Sequence, residues 1–289
     1  MTPMTSTTQG SLSTEQVQAY ERDGCLYPLT AMPAEQAASY LRKLEALEQQ
    51  YGPRAAEILR TKSHLVLTWV NELIRLTPVL DAVESLIGPD IFCWSTSFFI
   101  KQPRDPGFVA WHQDGPYSGT PEGAGDIVTA WIALTPSNMA NGCLKVVPGS
   151  QKTLLEHAYK EGTANLLSMS QEIAVEVDER TARHIELAPG QFSFHHEKII
   201  HGSAPNTSDG RRVGLAVRYI KPYQRQQPNT LDHASLVRGV DRYDTFFHDE
   251  VPHSDMDPQA LAYLDSVLVK KFGNRYRRDR SPTASVATS

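Results

Sequence analysis

The chain changes character near Gly88. Before it, apolar residues recur at helical spacing; after it, short aromatic and β-branched runs alternate with turn residues. "STEQVQAYERDG" opens on Ser13 with Gln16 three residues on, a capping-box pattern, and Asp23-Gly24 closes it. "CLYPL" predicts a short strand. From Pro33, "PAEQAASYLRKLEALEQQYG" predicts a long amphipathic helix, with Leu41, Leu44 and Leu47 on one side and Gly52 at its end. "HLVLTWVNELIRLTPVLDAVESLIG" predicts one or two further helices, broken near Thr77-Pro78.

The second half predicts strands. "IFCWSTSFFIK", "FVAWH", "IVTAWIAL", "CLKVV", "HIEL", "QFSFHH" and "VGLAVRYI" are short and are separated by Gly, Pro or Asn/Asp clusters. Such a series points to an antiparallel sandwich or barrel. The stretch 150–180 is expected to hold a helix or loop outside that barrel, and 223–265 to be irregular. The expected fold class is mainly β with flanking helices, in a single domain over 1–289, with frayed tails at 1–11 and 280–289.

Composition narrows the picture. With 289 residues and 40% of them hydrophobic, the chain can bury a sizeable core. A net charge of −5 with no long Lys/Arg run argues against a nucleic-acid partner. The basic patch at 270–280 is read as a solvated terminus. The three cysteines, Cys25, Cys93 and Cys143, are odd in number and form no CxxC, as expected of reduced thiols in a cytoplasmic protein; Cys143, in an apolar run, is read as a buried small hydrophobe. No secretory h-region and no long apolar run are present, so no membrane partner is expected. A small molecule is the expected partner, and oligomeric state is not legible.

Candidate chemistry begins at "WHQDG" (111–115). On a strand His112 and Asp114 share a face while Gln113 turns away. Among ten histidines, His201 is the best-placed third ligand, ending a short apolar strand just before Gly202. Nitrogen and carboxylate donors of this kind suit non-haem Fe(II) with open coordination positions, although a His-x-Asp alone is a weak signal. Arg212 follows His201 by eleven residues. From there Arg212, Gly214, Ala216 and Arg218 share one strand face, and Val213, Leu215, Val217 and Tyr219 the other; Arg211 falls in the apolar register. Two arginines separated only by small residues leave room for a dicarboxylate, which guanidinium binds bidentately. Ser203 offers a hydroxyl to the same carboxylate.

These residues resemble the phytanoyl-CoA dioxygenase (PhyH) family of Fe(II)/2-oxoglutarate oxygenases, from about residue 14 to about 245. The motifs are "TEQVQAYERDGCLYPL", "WHQD" with Trp131 downstream, "NGCLKVVPGSQ", "LAPGQFSFHH" and "HGSAPNTSDGRRVGLAVRY". The resemblance implies a double-stranded β-helix, a cupin-like jelly roll, with the metal at its open end. It implies His112, Asp114 and His201 as iron ligands, Arg212 on the distal carboxylate of 2-oxoglutarate, Ser203 beside it and Trp131 on the cofactor side. Lys101, Gln113 and Phe99 match further pocket positions. It also implies use of O₂, with succinate and CO₂ as products and hydroxylation as the outcome. Retention of Asp114 argues against halogenation, because related halogenases carry a small residue there.

Other residues carry two readings. Trp131 also fits plain core. Of the adjacent His195 and His196 only one can face the site, and both are read as supporting or core residues. Lys62 and His64 are read equally as substrate contacts and as surface residues. Tyr117, in the loop 115–125, belongs to a lid or to a long connection. Arg218 hints at an anionic substrate or at further support for 2-oxoglutarate. The expected activity is hydroxylation of a small metabolite, of secondary-metabolite, amino-acid or aminophosphonate type. The rivals are desaturation, epoxidation or ring formation by the same chemistry, a non-catalytic metal-binding jelly roll, and a metal-dependent hydrolase or isomerase.

Overall fold

A computed structural model describes residues 10–115, 127–159, 165–167, 171–174, 177–224 and 232–272. Tyr117, the tail 280–289 and most of 1–11 lie outside the described residues. The helical half forms α1 (Thr14–Asp23), α2 (Ala34–Tyr51), α3 (Pro53–Arg60), α4 (Thr68–Leu73) and α5 (Thr77–Ile87), with β1 (Cys25–Thr30) between α1 and α2. The capping box at Ser13 forms, with Gln16 N–H donating to Ser13 Oγ at 3.3 Å and Ser13 N–H to Gln16 Oε1 at 2.9 Å.

Seven strands form the larger sheet, in the order β1–β9–β4–β11–β2–β12–β13. They are β2 (Ile91–Lys101), β4 (Ile127–Ala133), β9 (Gln191–His196), β11 (Arg212–Ile220), β12 (His233–Arg238) and β13 (Phe247–His248) with β1. The smaller sheet runs β3–β10–β5–β8, from Val109–His112, His201–Ser203, Leu144–Val146 and Arg183–Ile185. Alternation assigns the larger sheet's two faces. Ala130, Ile132, Phe192, Phe194, Val213, Leu215 and Val217 pack under the helices with Leu44, Trp69 and Val83. Trp131, Ala133 and Ala216 turn the other way and meet Leu144, Val146 and Ile185 of the smaller sheet. The helices therefore seal one face, and the space between the sheets is left for chemistry. This is the jelly roll that the resemblance implies. Among the described residues, no helix is long and apolar enough to cross a membrane.

Residues 53–60, which the sequence pattern does not assign, form a helix, α3, that buries Ala55, Ile58 and Leu59. Two expectations change. Within 150–180, where a helix or loop is expected, β6 (His157–Tyr159) and β7 (Gln171–Ile173) pair as a two-stranded sheet. The region past 223 is not all irregular. It contains β12, β13 and most of a helix, α6 (Pro258–Phe272), whose Leu264, Val267 and Leu268 recur at helical spacing and are buried.

Lys62 and His64 are not surface residues. Both are buried on the helical side of the sheet, where His64 Nδ1 lies 3.0 Å from Thr96 Oγ1. Their charge partner is Asp249. Its carboxylate accepts from Ser235 Oγ at 3.0 Å and Tyr263 OH at 3.2 Å. It lies 3.7 Å from Lys62 Nζ and 3.8 Å from His64 Nε2. One buried carboxylate thus ties the loop after α3 to β12 and α6. Burial pushes the Asp249 carboxyl up, but Lys62 and His64 more than offset this and hold it well below the carboxylate range.

Asp249→Ala leaves the Lys62 ammonium buried without a counter-charge, at a cost of about 3–5 kcal/mol, to be read by denaturant unfolding. Burial lowers the His64 pKa against the pull of Asp249. The native state therefore binds that proton less tightly than the unfolded chain, and stability falls as pH drops through the unfolded value of about 6.5. His64→Gln is expected to flatten that slope of the unfolding midpoint between neutral and mildly acid pH.

Candidate metal centre

His112 ends β3 and His201 begins β10, and the two are direct partners across the antiparallel ladder. Their ring centroids are 4.0 Å apart. Each ring is aimed by the backbone carbonyl two residues before it. His112 Nδ1 lies 2.9 Å from the Ala110 carbonyl, and His201 Nδ1 3.0 Å from the Ile199 carbonyl. A carbonyl only accepts, so each Nδ1 carries a proton and each Nε2 is left as the nitrogen that can meet a metal. Asp114 sits just beyond the end of β3, in a bend, and brings its carboxylate to the same point. Ligand atoms of His112, Asp114 and His201 all lie within 4.8 Å of one another, and all three residues are buried. Two neutral imidazoles and one carboxylate fit an Fe(II)-type divalent ion.

Burial acts on these groups in opposite directions. It pushes the Asp114 carboxyl up, but the Arg218 guanidinium, with His112 and His195, more than offsets this and holds it well below the usual range. Burial, with neighbouring His112 and His195, lowers the His201 imidazole well below its usual value and keeps it neutral. Both are the states that a metal requires.

A cavity of about 30 Å³ opens beside these ligands, lined by Phe99, Trp131, Leu144, Ser203, Arg212 and Arg218 among others. Arg212 is buried, and its Nη1 donates to the Gly142 carbonyl at 2.5 Å. Its Nε has no partner among the described residues. The guanidinium lies 5.3 Å from the centre of the Trp131 ring. Gly214 permits this, since a Cβ there would stand 2.0 Å from Trp131 Cζ2. Gly142, with φ +69°, presents its carbonyl from a backbone whose Cβ would meet the Ala204 oxygen at 2.1 Å. Lys101 Nζ donates to Ser203 Oγ at 2.7 Å and also to the Ala204 carbonyl. Burial, then repulsion from Arg212, lowers its pKa to about 7.

Not every expected residue reaches the cavity. Gln113 turns away, as alternation requires: its side-chain NH₂ donates to the carbonyls of Thr153 and Lys198, and its Oε1 accepts from Leu155 N–H. It therefore ties loops together behind the site, which departs from the cofactor role that the resemblance implies. Arg211 points to the helices and pairs with Glu48 at 2.5 Å. His195, expected as a supporting or core residue, is buried beside the ligands. It lines the cavity, with its Nε2 3.9 Å from Asp114 Oδ2 and its ring 4.7 Å from that of His201. His196 faces outward, toward Tyr20. The signal lies in "QFSFHH": Phe192 and Phe194 mark the helix-facing register, which sends Ser193 and His195 inward.

The sequence model of the family described as "Phytanoyl-CoA dioxygenase (PhyH)" matches residues 9–214. A "Probable phytanoyl-CoA dioxygenase" of Caenorhabditis elegans is 34% identical over 157 residues, 51% of this chain and 49% of that protein. The human "Phytanoyl-CoA dioxygenase, peroxisomal" is 28% identical over 233 residues, 72% of this chain and 68% of that protein. The chain thus spans from about half to about two thirds of the length of these curated relatives. Among solved structures, the non-heme monooxygenase ThoJ in its apo form is 32% identical with a TM-score of 0.79, covering 92% of this chain and 100% of its own.

Binding of Ni(II), a redox-inert probe of the three ligands, is expected to stabilise the fold by about 2.7 kcal/mol at one hundred times its Kd. Asp114→Ala should abolish that gain in a thermal denaturation assay.

Proposed function

The chain belongs to the phytanoyl-CoA dioxygenase (PhyH) family, and from that premise we propose that it is an Fe(II)/2-oxoglutarate-dependent dioxygenase. In this reading it hydroxylates an unactivated C–H bond of a small metabolite of secondary-metabolite, amino-acid or aminophosphonate type. The observation that carries the reading is Arg212. A buried guanidinium whose Nε has no partner among the described residues faces the same cavity as the three ligands, which is the arrangement that a dicarboxylate spanning metal and arginine requires.

When bound, iron(II) and 2-oxoglutarate supply the activation of O₂, with one oxygen atom leaving in succinate as CO₂ is lost and the other entering the substrate C–H bond. His112, Asp114 and His201 would hold the iron and leave the remaining positions open. Arg212 would take the distal carboxylate as a fork. Ser203 and Lys101 stand beside it, and Trp131 walls that side. Phe99, Val109 and Leu144 exclude water from the reacting centre. Asp114 would be a metal ligand where related halogenases carry a small residue, which favours hydroxyl delivery.

The test is succinate formation coupled to O₂ uptake across a metabolite panel; bound iron without any succinate would favour a non-catalytic jelly roll. Arg212→Ala is expected to weaken 2-oxoglutarate binding by about 2–5 kcal/mol, at least roughly thirtyfold; unchanged affinity would remove the reading's main support. Lys101 gives a pH signature. Its pKa of about 7 before binding should rise beside a dicarboxylate, so binding takes up a proton above pH 7 and affinity falls as pH rises. Calorimetry in buffers of different ionisation enthalpy checks this, and Lys101→Met should flatten the profile.

A further inference from the structure

Arg218 is the charged group that the proposed chemistry leaves over. It lies six residues beyond Arg212 on β11, on the same inward face, about 20 Å along an extended strand. Its Nε is 3.3 Å and its Nη2 3.5 Å from Asp114, and its Nη1 is 3.5 Å from Ser97 Oγ. These are long contacts for a guanidinium, and the carboxylate concerned is a metal ligand. The ladder adds polar neighbours in the same row: Thr129 is the register partner of both Arg218 and His195. Thr129 Oγ1 donates to Asp114 at 3.4 Å, and the buried His195 Nδ1 has no hydrogen-bond partner among the described residues.

Charge decides what this row can take. Iron(II) and Arg212 together balance Asp114 and the 2-oxoglutarate dianion. That leaves the Arg218 charge in excess, and protonated Lys101 only adds to it. No other carboxylate is among the described residues lining the cavity. The Arg218 side chain is 17% exposed and shares its carboxylate partner, Asp114, with the metal site; a guanidinium so placed gains a charge-assisted hydrogen bond to an oxyanion.

Resting on the dioxygenase reading, we propose that Arg218, with Thr129 and His195 beside it, is the subsite for an oxyanion of the substrate, a carboxylate or a phosphonate. The anion anchors one end of the substrate on the Asp114 side of the metal, and the C–H to be oxidised lies a few bonds away.

The test uses the anaerobic protein loaded with Fe(II) and 2-oxoglutarate, whose metal-to-cosubstrate charge-transfer band reports on the centre. Hexanoate, propylphosphonate and neutral hexanamide serve as probes. At least one of the two anions is expected to shift the band with at least tenfold higher affinity than hexanamide, and the stronger one identifies the oxyanion class. Arg218→Gln should erase that difference and Arg218→Lys retain part of it, each checked for folding by circular dichroism. Equal responses to anion and amide, no response to either anion, or a preference that survives Arg218→Gln overturns the subsite and leaves the dioxygenase reading intact. Bleaching of the band would place the anion at Arg212 and also overturns it, as would a loss of 2-oxoglutarate affinity in Arg218→Gln as large as that in Arg212→Gln. If no band forms in the wild-type protein, the dioxygenase reading fails and the subsite falls with it.

Discussion

Arg212 has to keep its positive charge with almost no access to water, and much of the molecule is arranged to make that tolerable. Burial lowers its pKa to about 10, still far enough above neutrality to leave it charged. One backbone carbonyl, from Gly142, and the face of Trp131 are what the described residues offer it. Two glycines provide the geometry, one where the chain crosses Ala204 and one beneath the indole. Burial first, and then repulsion from Arg212, draws the Lys101 pKa down beside it. A fold seeking only stability would place an aliphatic side chain there; this one keeps a guanidinium facing the cavity instead.

Two buried carboxylates lie on opposite sides of the larger sheet, and their surroundings differ in kind. Asp249, under the helices, is satisfied at 3.0 and 3.2 Å by neutral hydroxyls, with Lys62 and His64 farther off. Asp114, between the sheets, meets its nearest donors among the described residues at 3.3 to 3.5 Å, and two imidazoles beyond. Asp249 is saturated by the protein and belongs to the scaffold. Asp114 is held by charge rather than by close hydrogen bonds, as a group whose main partner is a metal should be.

Period-two alternation made much of this legible in advance. It separated Arg212 and Arg218 from Arg211, put His112 and Asp114 on one side, and turned Gln113 away; where the family resemblance drew Gln113 into the pocket, the pleat was the better guide. The same alternation marked His195 through Phe192 and Phe194, but adjacency to His196 hid it. Other features were illegible for physical reasons. The Asp249 clasp joins residues from four distant segments, each of which looks like ordinary surface polarity in isolation. The small β6–β7 sheet has no apolar period to announce it. The helix α6 does have one, but it lies behind an irregular stretch and runs into a basic tail.

The pairing of His112 with His201 has a consequence for chain entropy. The two lie 89 residues apart in sequence, and bringing such distant points together is a substantial loop-closure cost. Here the β3–β10 ladder closes that loop through backbone hydrogen bonds, and the Ala110 and Ile199 carbonyls fix both rings at the same time. A metal ion therefore meets two donors whose freedom has already been spent in folding. Its binding energy goes into coordination rather than into ordering the chain, and local opening of this one ladder is the shortest route by which the ion can be lost.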